Sequence, residues 1–193
     1  IYIGFKNYQS NESMRSQNHE RDDEMSLADK NGVSIDFDAD GLIAYQFFVS
    51  SGGSIGDATY TNETEKSNDW DGDWLSATTI GEDVWFTEFF IPWSIAPMKK
   101  QLGDKRKVKI GFYRMLAGYS RVIATIKGSP YQNIYMSAFD DLEFYNYSTS
   151  KIDFFPYITL NDNRLEKDLD HKSGAEIFWK IDSSKQLNVA INP

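Results

Sequence analysis

Apolar and polar residues alternate with a period of two along much of this chain, and that alternation predicts strands. Ile1-Tyr2-Ile3-Gly4-Phe5 begins the pattern, so Ile1 to Lys6 reads as a strand. The polar run Asn7 to Asp29 has no steady apolar period and reads as a long loop, with one short strand or helical turn near Met25 to Ala28. Val33, Ile35 and Phe37 then alternate with polar neighbours, and Asp38-Ala39-Asp40-Gly41 carries the turn chemistry of a hairpin. Leu42 to Ser50 returns apolar on both faces, as a central strand does. A brief strand is expected at Asp57 to Tyr60, and longer ones at Trp74 to Ile80 and Val84 to Ile91, joined through Gly81-Glu82-Asp83. Pro92 ends the last of these because it has no N–H to give the ladder. Trp93 to Leu102 reads as a short helical turn and loop, Val108 to Leu116 and Arg121 to Ile126 as strands, and Gly128-Ser129-Pro130 as a break.

Closely spaced strands with turn signals, and no long apolar period of 3.6, predict an all-β antiparallel sandwich rather than an α/β fold. Residues 1–150 are assigned to that sandwich and 151–193 to a linker strand and terminal hairpin. In the tail, Ala175, Ile177, Trp179 and Ile181 share one strand face, and Leu187, Val189 and Ile191 share another. A transmembrane barrel hairpin reads this way, and so does a half-buried hairpin in water.

Composition narrows the chemistry. Aromatic residues make up 15% of the chain, which suits strands. Cysteine is absent, so disulfides, thiolate metal sites and cysteine nucleophiles are not available to these residues. A formal net charge of −9 with no Lys/Arg stripe argues against a nucleic-acid partner. His19 and His171 stand in polar contexts without ligand spacing, so neither a zinc site nor a serine-type triad is supported.

Several ordered segments resemble the bacterial outer-membrane proteins of unassigned function that place a family-nine-like carbohydrate-binding domain before a predicted β-barrel. They are Ile1 to Phe5, Arg21-Asp22-Asp23, Ile35-Asp36 through Asp40-Gly41, Tyr45 to Val49, Trp70-Asp71 with Trp74, Trp85-Phe86-Thr87-Glu88 leading to Ile91-Pro92-Trp93, Ile110-Gly111-Phe112 with Arg114, Phe155-Pro156-Tyr157, and Asn192-Pro193. The resemblance implies a carbohydrate-binding-module-like jelly roll that is not an enzyme. It would face the periplasm, bind a saccharide and be attached to an outer-membrane barrel. It also implies that the chain is a domain cut at its junction with that barrel.

Candidate sites follow from residue type and setting. A sugar ring stacks its C–H face on an aromatic ring, an arrangement that contributes about 0.5–1.5 kcal/mol beyond area burial in aromatic pairs. Trp85 and Trp93 sit in apolar patterns that read as core, whereas Trp70 stands in the polar loop Ser67 to Asp73. The expected ligand-binding set is therefore Trp70, Tyr60, Asp71, Asp73 and Trp74, against the plainer reading of Trp70 as a cap on the sandwich edge. Asp36, Asp38 and Asp40 have the rhythm of a calcium loop. The twelfth position from Asp36 is Phe47 and not glutamate, which excludes an EF-hand and leaves a loose Ca2+ site or a solvated turn. Glu88, among aromatic residues, is expected to pair with Arg114 as a structural ion pair rather than to act as a glycosidase acid. Two further readings are a ligand-free plug or gate for the barrel, and a haem domain. Haem would need axial ligands from Met98, Met115, Met136 and the two histidines.

Overall fold

The structure, a computed structural model, describes residues 1–23, 27–146, 150–163, 168–182 and 184–192. Its contacts divide the chain into two units, residues 1–95 with 101–146, and residues 96–100 with 147–193.

The first unit is an antiparallel β-sandwich. One sheet has three strands, β1 (Tyr2–Tyr8), β7 (Val84–Phe90) and β6 (Leu75–Gly81), in the order β1-β7-β6. The other has seven strands: β2 (Lys30–Asp36), β3 (Ile43–Ser50), β4 (Ile55–Thr61), β5 (Glu65–Ser67), β8 (Lys105–Leu116), β9 (Arg121–Ala124) and β10 (Asp140–Tyr145). Their order is β10-β8-β2-β3-β4-β5, with β9 paired to β8. Every pairing is antiparallel.

The sandwich interior is made where alternate residues of the two sheets meet. Trp85, Thr87 and Phe89 point inward from β7, and Val33, Ile35, Phe47 and Val49 lie on the facing sheet, all essentially inaccessible to solvent. Trp74 stacks on Phe89 with centroids 5.7 Å apart and meets Phe47 edge-on at 5.4 Å. Polar groups in this layer are paired, as burial requires. Asn7 and Asn31 exchange two amide hydrogen bonds of 2.7 and 3.1 Å, and the Thr87 hydroxyl donates to Asn31 Oδ1 at 2.9 Å.

The elements expected from alternation are present, with four differences. The short edge strand β5, Glu65–Ser67, lies in a polar stretch that reads as loop. The expected strand at 57–60 runs from Ile55 to Thr61. A strand not anticipated, β10, carries the sequence Asp-Asp-Leu-Glu-Phe-Tyr and is almost wholly exposed. It is held at the sheet edge by its ladder to β8 and by ion pairs Lys109–Asp141 (3.3 Å) and Lys105–Glu143 (3.2 Å). Its one half-buried ring, Phe144, meets Trp93 edge-on at 5.6 Å. The element expected near Met25 lies partly outside the described residues, and Leu27 and Ala28 belong to no strand or helix.

The second unit is a three-stranded meander, β11 (Lys151–Asn163), β12 (Asp168–Asp182) and β13 (Lys185–Ile191), in the order β11-β12-β13. What reads as a linker strand is thus the first strand of a sheet. Its register sets Ile152 beside Trp179 and Leu187, Phe154 beside Ile177 and Val189, and Pro156 beside Ala175 and Ile191. That stretch of the face is apolar, and beyond it Ile158 lies beside Ser173 and Leu160 beside His171; Phe154, Ile158 and Leu160 are each 60–74% exposed.

Candidate functional site

The aspartate-rich turn after β2 is built as a structural turn. Asp36 is buried, and its carboxylate accepts from the backbone N–H groups of Asp38 (3.1 Å), Ala39 (2.9 Å) and Gly41 (2.8 Å). Those bonds hold Ala39 and Gly41 at positive φ, 55° and 73°. Burial nonetheless pushes the Asp36 carboxyl above its ordinary value, against the pull of the three amides. Asp38 accepts at 2.8 Å from the buried Arg106 guanidinium, whose Nη1 also donates to the Phe37 carbonyl. Asp40 Oδ1 accepts from the Leu42 N–H at 3.0 Å, so each of the three carboxylates expected to face a cation has a partner within the protein.

Among the described residues, three carboxylates converge: Asp22, Asp57 and Asp71. Arg21 already sits among them, with Nη2 2.7 Å from Asp57, Nε 3.0 Å from Asp71 and Nε 3.8 Å from Asp22. Asp57 is a buried hub: its Oδ2 also accepts from Trp74 Nε1 at 2.7 Å and from the Gly72 N–H at 3.2 Å. Burial pushes its carboxyl up, with the Trp74, Gly72 and Arg21 contacts opposing.

These contacts fix the loop that carries the tryptophans expected to bind sugar. Trp70 is half-buried, meeting Tyr45 at 4.7 Å and Phe47 at 5.8 Å, both edge-on. Trp74 is buried in the sandwich, while Asp71 and Asp73 are exposed. Tyr60 does not join them. Tyr45, Phe47 and Asp57 occupy one face of β3 and β4, and Tyr60 occupies the other, so the sheet itself separates Tyr60 from Trp70.

Glu88 and Arg114 are likewise parted, which corrects the expected ion pair. Trp85, Thr87 and Phe89 take the inward positions of β7, and strict alternation turns Glu88 outward to solvent. Arg114 packs inside, 5.6 Å from the Trp85 ring, and donates to Gln9 Oε1 at 2.7 Å. The outer face looked apolar in sequence because Phe86 and Phe90 stand there, covered by Lys6 (5.8 Å) and Tyr2 (4.8 Å). Glu88→Gln is expected to change stability by less than about 0.5 kcal/mol in urea unfolding, as at other exposed positions.

Tyr60 opens onto a different site. On the outer face of the seven-stranded sheet, one cross-strand row reads Tyr113, Gly32, Phe48, Gly56. Rings alternate with glycines, and each ring lies over its glycine: a Cβ on Gly32 would run into the Tyr113 ring, and one on Gly56 into the Phe48 ring. Glycine in a strand interior often marks such a close approach. The segment from β9 through residue 139 curls over this face, and the space between is a groove of about 590 Å³. That volume falls in the usual range for small-molecule sites.

The groove has an apolar wall and a hydroxyl-bearing end. Met115, Val122, Ala124 and Ile126 supply the wall. At the end, the Tyr60 and Tyr135 rings lie 4.7 Å apart. The Tyr135 hydroxyl pairs with Ser34 Oγ at 2.8 Å and accepts from Gln46 Nε2 at 3.2 Å. Burial raises both phenols above their ordinary value, so they stay protonated donors at neutral pH. Tyr131 stands at the rim, 98% exposed. Lys30 and Lys66 line the same space, and burial pushes the Lys66 ammonium down to about 8 despite nearby Asp22.

Of the methionines weighed for haem, Met115 lines the groove, while Met98 and Met136 are buried elsewhere. His19 lies in the loop before β2, hydrogen-bonded to the Glu20 carbonyl, and His171 is on β12.

No family model, curated protein or solved structure matches the chain.

Gly32, Phe48, Gly56 and Tyr113 were not singled out in sequence. Two glycines inside apolar strands are the signal that was there to find, but their meaning depends on a register that only the paired strands reveal.

Proposed function

We propose that the sandwich is a non-catalytic saccharide-binding domain, with the aromatic groove as its site. The observation that carries this reading is the alternating row of rings and glycines. It lays two aromatic faces against the sheet within one groove and sets hydroxyl groups of tyrosine at its end. Sugar recognition needs that combination, an apolar face to stack on a ring and fixed hydrogen-bonding groups for hydroxyls. A plug without a ligand has no use for an open aromatic groove, so the groove favours binding over the plug. The test is calorimetric titration with neutral and acidic oligosaccharides, on the wild type and Tyr113→Ala. Saturable binding weakened by Tyr113→Ala supports the site, and absence of binding across the panel counts against it.

The second unit supports an outer-membrane setting. β11 has 13 residues and β12 has 15, more than the ~9–11 tilted residues that cross a bilayer. Where Ile152, Phe154 and Pro156 face Trp179, Ile177 and Ala175 their shared surface is apolar, and Phe154 on it is exposed. In this reading the sheet is part of a transmembrane barrel, and the sandwich faces the periplasm. The chain is then expected to bind detergent micelles, seen as added mass in size-exclusion chromatography with light scattering. A lysine on that face costs up to about 2–4 kcal/mol in lipid, so Phe154→Lys/Ile158→Lys is expected to abolish the added mass. Equal detergent binding by the double variant would remove the basis for the barrel.

A further inference from the structure

We propose, resting on the groove as a saccharide site, that its ligand presents a 6-deoxyhexose whose C6 methyl group lies against Val122 and Met115. Cross-strand rows on the outer face of the seven-stranded sheet grade from apolar to polar along the groove. One row joins Val122 of β9 to Met115 of β8, both lining the groove. The next runs from Ala124 through Tyr113 and Gly32 to Phe48. Beyond it stand Ser34 and Gln46, side by side and both bonded to the Tyr135 hydroxyl. Successive rows are two residues apart along the strands, about 7 Å, so the Tyr113 ring lies between an apolar edge and a polar one. Lys30 stands on the far side of Met115 from Val122, with its ammonium over the Phe48 ring at 5.0 Å.

A pyranose stacked on Tyr113 meets both rows at its edges. Its ring hydroxyls suit the side of Ser34, Gln46 and Tyr135. The opposite edge meets valine, methionine and the methyl group of Ala124, side chains with no N–H or O–H donor and no oxygen. Val122 is 63% exposed, so its apolar surface is there to be covered. A hydroxymethyl group set against that wall leaves water and finds no partner for its oxygen. A methyl group at the same carbon has no hydrogen bond to lose and buries apolar surface. The wall therefore selects for what the sugar lacks at C6.

The experiment follows chemical shifts of the isotope-labelled chain during titration with two matched pairs of sugars. Methyl α-L-fucoside is set against methyl α-L-galactoside, and methyl α-L-rhamnoside against methyl α-L-mannoside, so that only the C6 oxygen differs within a pair. In at least one pair the 6-deoxy member is expected to bind about tenfold more tightly or better. Val122→Thr keeps the branched shape at an exposed position and adds a hydroxyl to the wall, and it should reduce that ratio several-fold. Equal affinities within both pairs, a ratio unchanged in Val122→Thr, or no binding by any of the four glycosides overturns the deoxy sugar. The saccharide site still stands in those cases if an oligosaccharide of the calorimetric panel binds and is weakened by Tyr113→Ala. No binding across that panel as well overturns both.

Discussion

Asp57→Ala is expected to destabilise the sandwich by about 2–4 kcal/mol, measured as a shift of the urea midpoint without change in slope. Two donors lose their acceptor, the indole N–H of the buried Trp74 and the backbone N–H of Gly72. A buried donor left unpaired costs roughly 1–3 kcal/mol, and the two account for the estimate. Arg21 adds little because it is partly exposed and can turn to water. Asp57→Asn keeps a carbonyl oxygen for Trp74 and is expected to cost less. The pH dependence separates the two further. Burial raises the folded-state value of Asp57 above its unfolded one, so between the two values the native state holds more protons. Its contribution to stability therefore grows as pH falls through that window, and Asp57→Asn should lose that rise.

Gly32→Ala is expected to cost about 1–3 kcal/mol by overpacking, although its position has ordinary strand geometry. The added methyl would occupy the space of the Tyr113 ring, which must lift into the groove. Saccharide affinity should fall at least tenfold with it. In a Tyr113→Ala background the same methyl meets no ring, so the added cost should nearly vanish. A coupling energy near zero between Gly32 and Tyr113 in the double-mutant cycle would contradict the packing described.

Strand content was legible because β1, β6, β7 and β8 turn alternate residues inward and outward, while β2 and β3 are buried on nearly every residue. β1, β2, β3, β6, β7 and β8 all announce themselves by alternation or by uniformly apolar runs. β10 did not, since its residues are exposed apart from Phe144, which packs on Trp93, and its ladder to β8 holds it at the edge. Turn chemistry was legible too: Asp36 to Gly41 turns where its residues said it would, although its carboxylates serve backbone amides and Arg106. The site was not legible, for one physical reason. Which residues share a face across strands is set by register, and register placed Tyr60 with Tyr113 and Phe48 while sending Trp70 and Trp74 to the opposite side. The same rule put Glu88 outside and Arg114 inside.

Chemical-shift mapping with the tightest-binding oligosaccharide of the calorimetric panel on the isotope-labelled chain tests the central claim most directly. The account predicts that perturbations centre on Lys30, Phe48, Tyr60, Lys66, Tyr113 and Tyr131, with Trp70 and Asp71 unmoved. Perturbations confined to the loop from Asp69 to Trp74, with the Tyr113 and Phe48 signals unchanged, would contradict it.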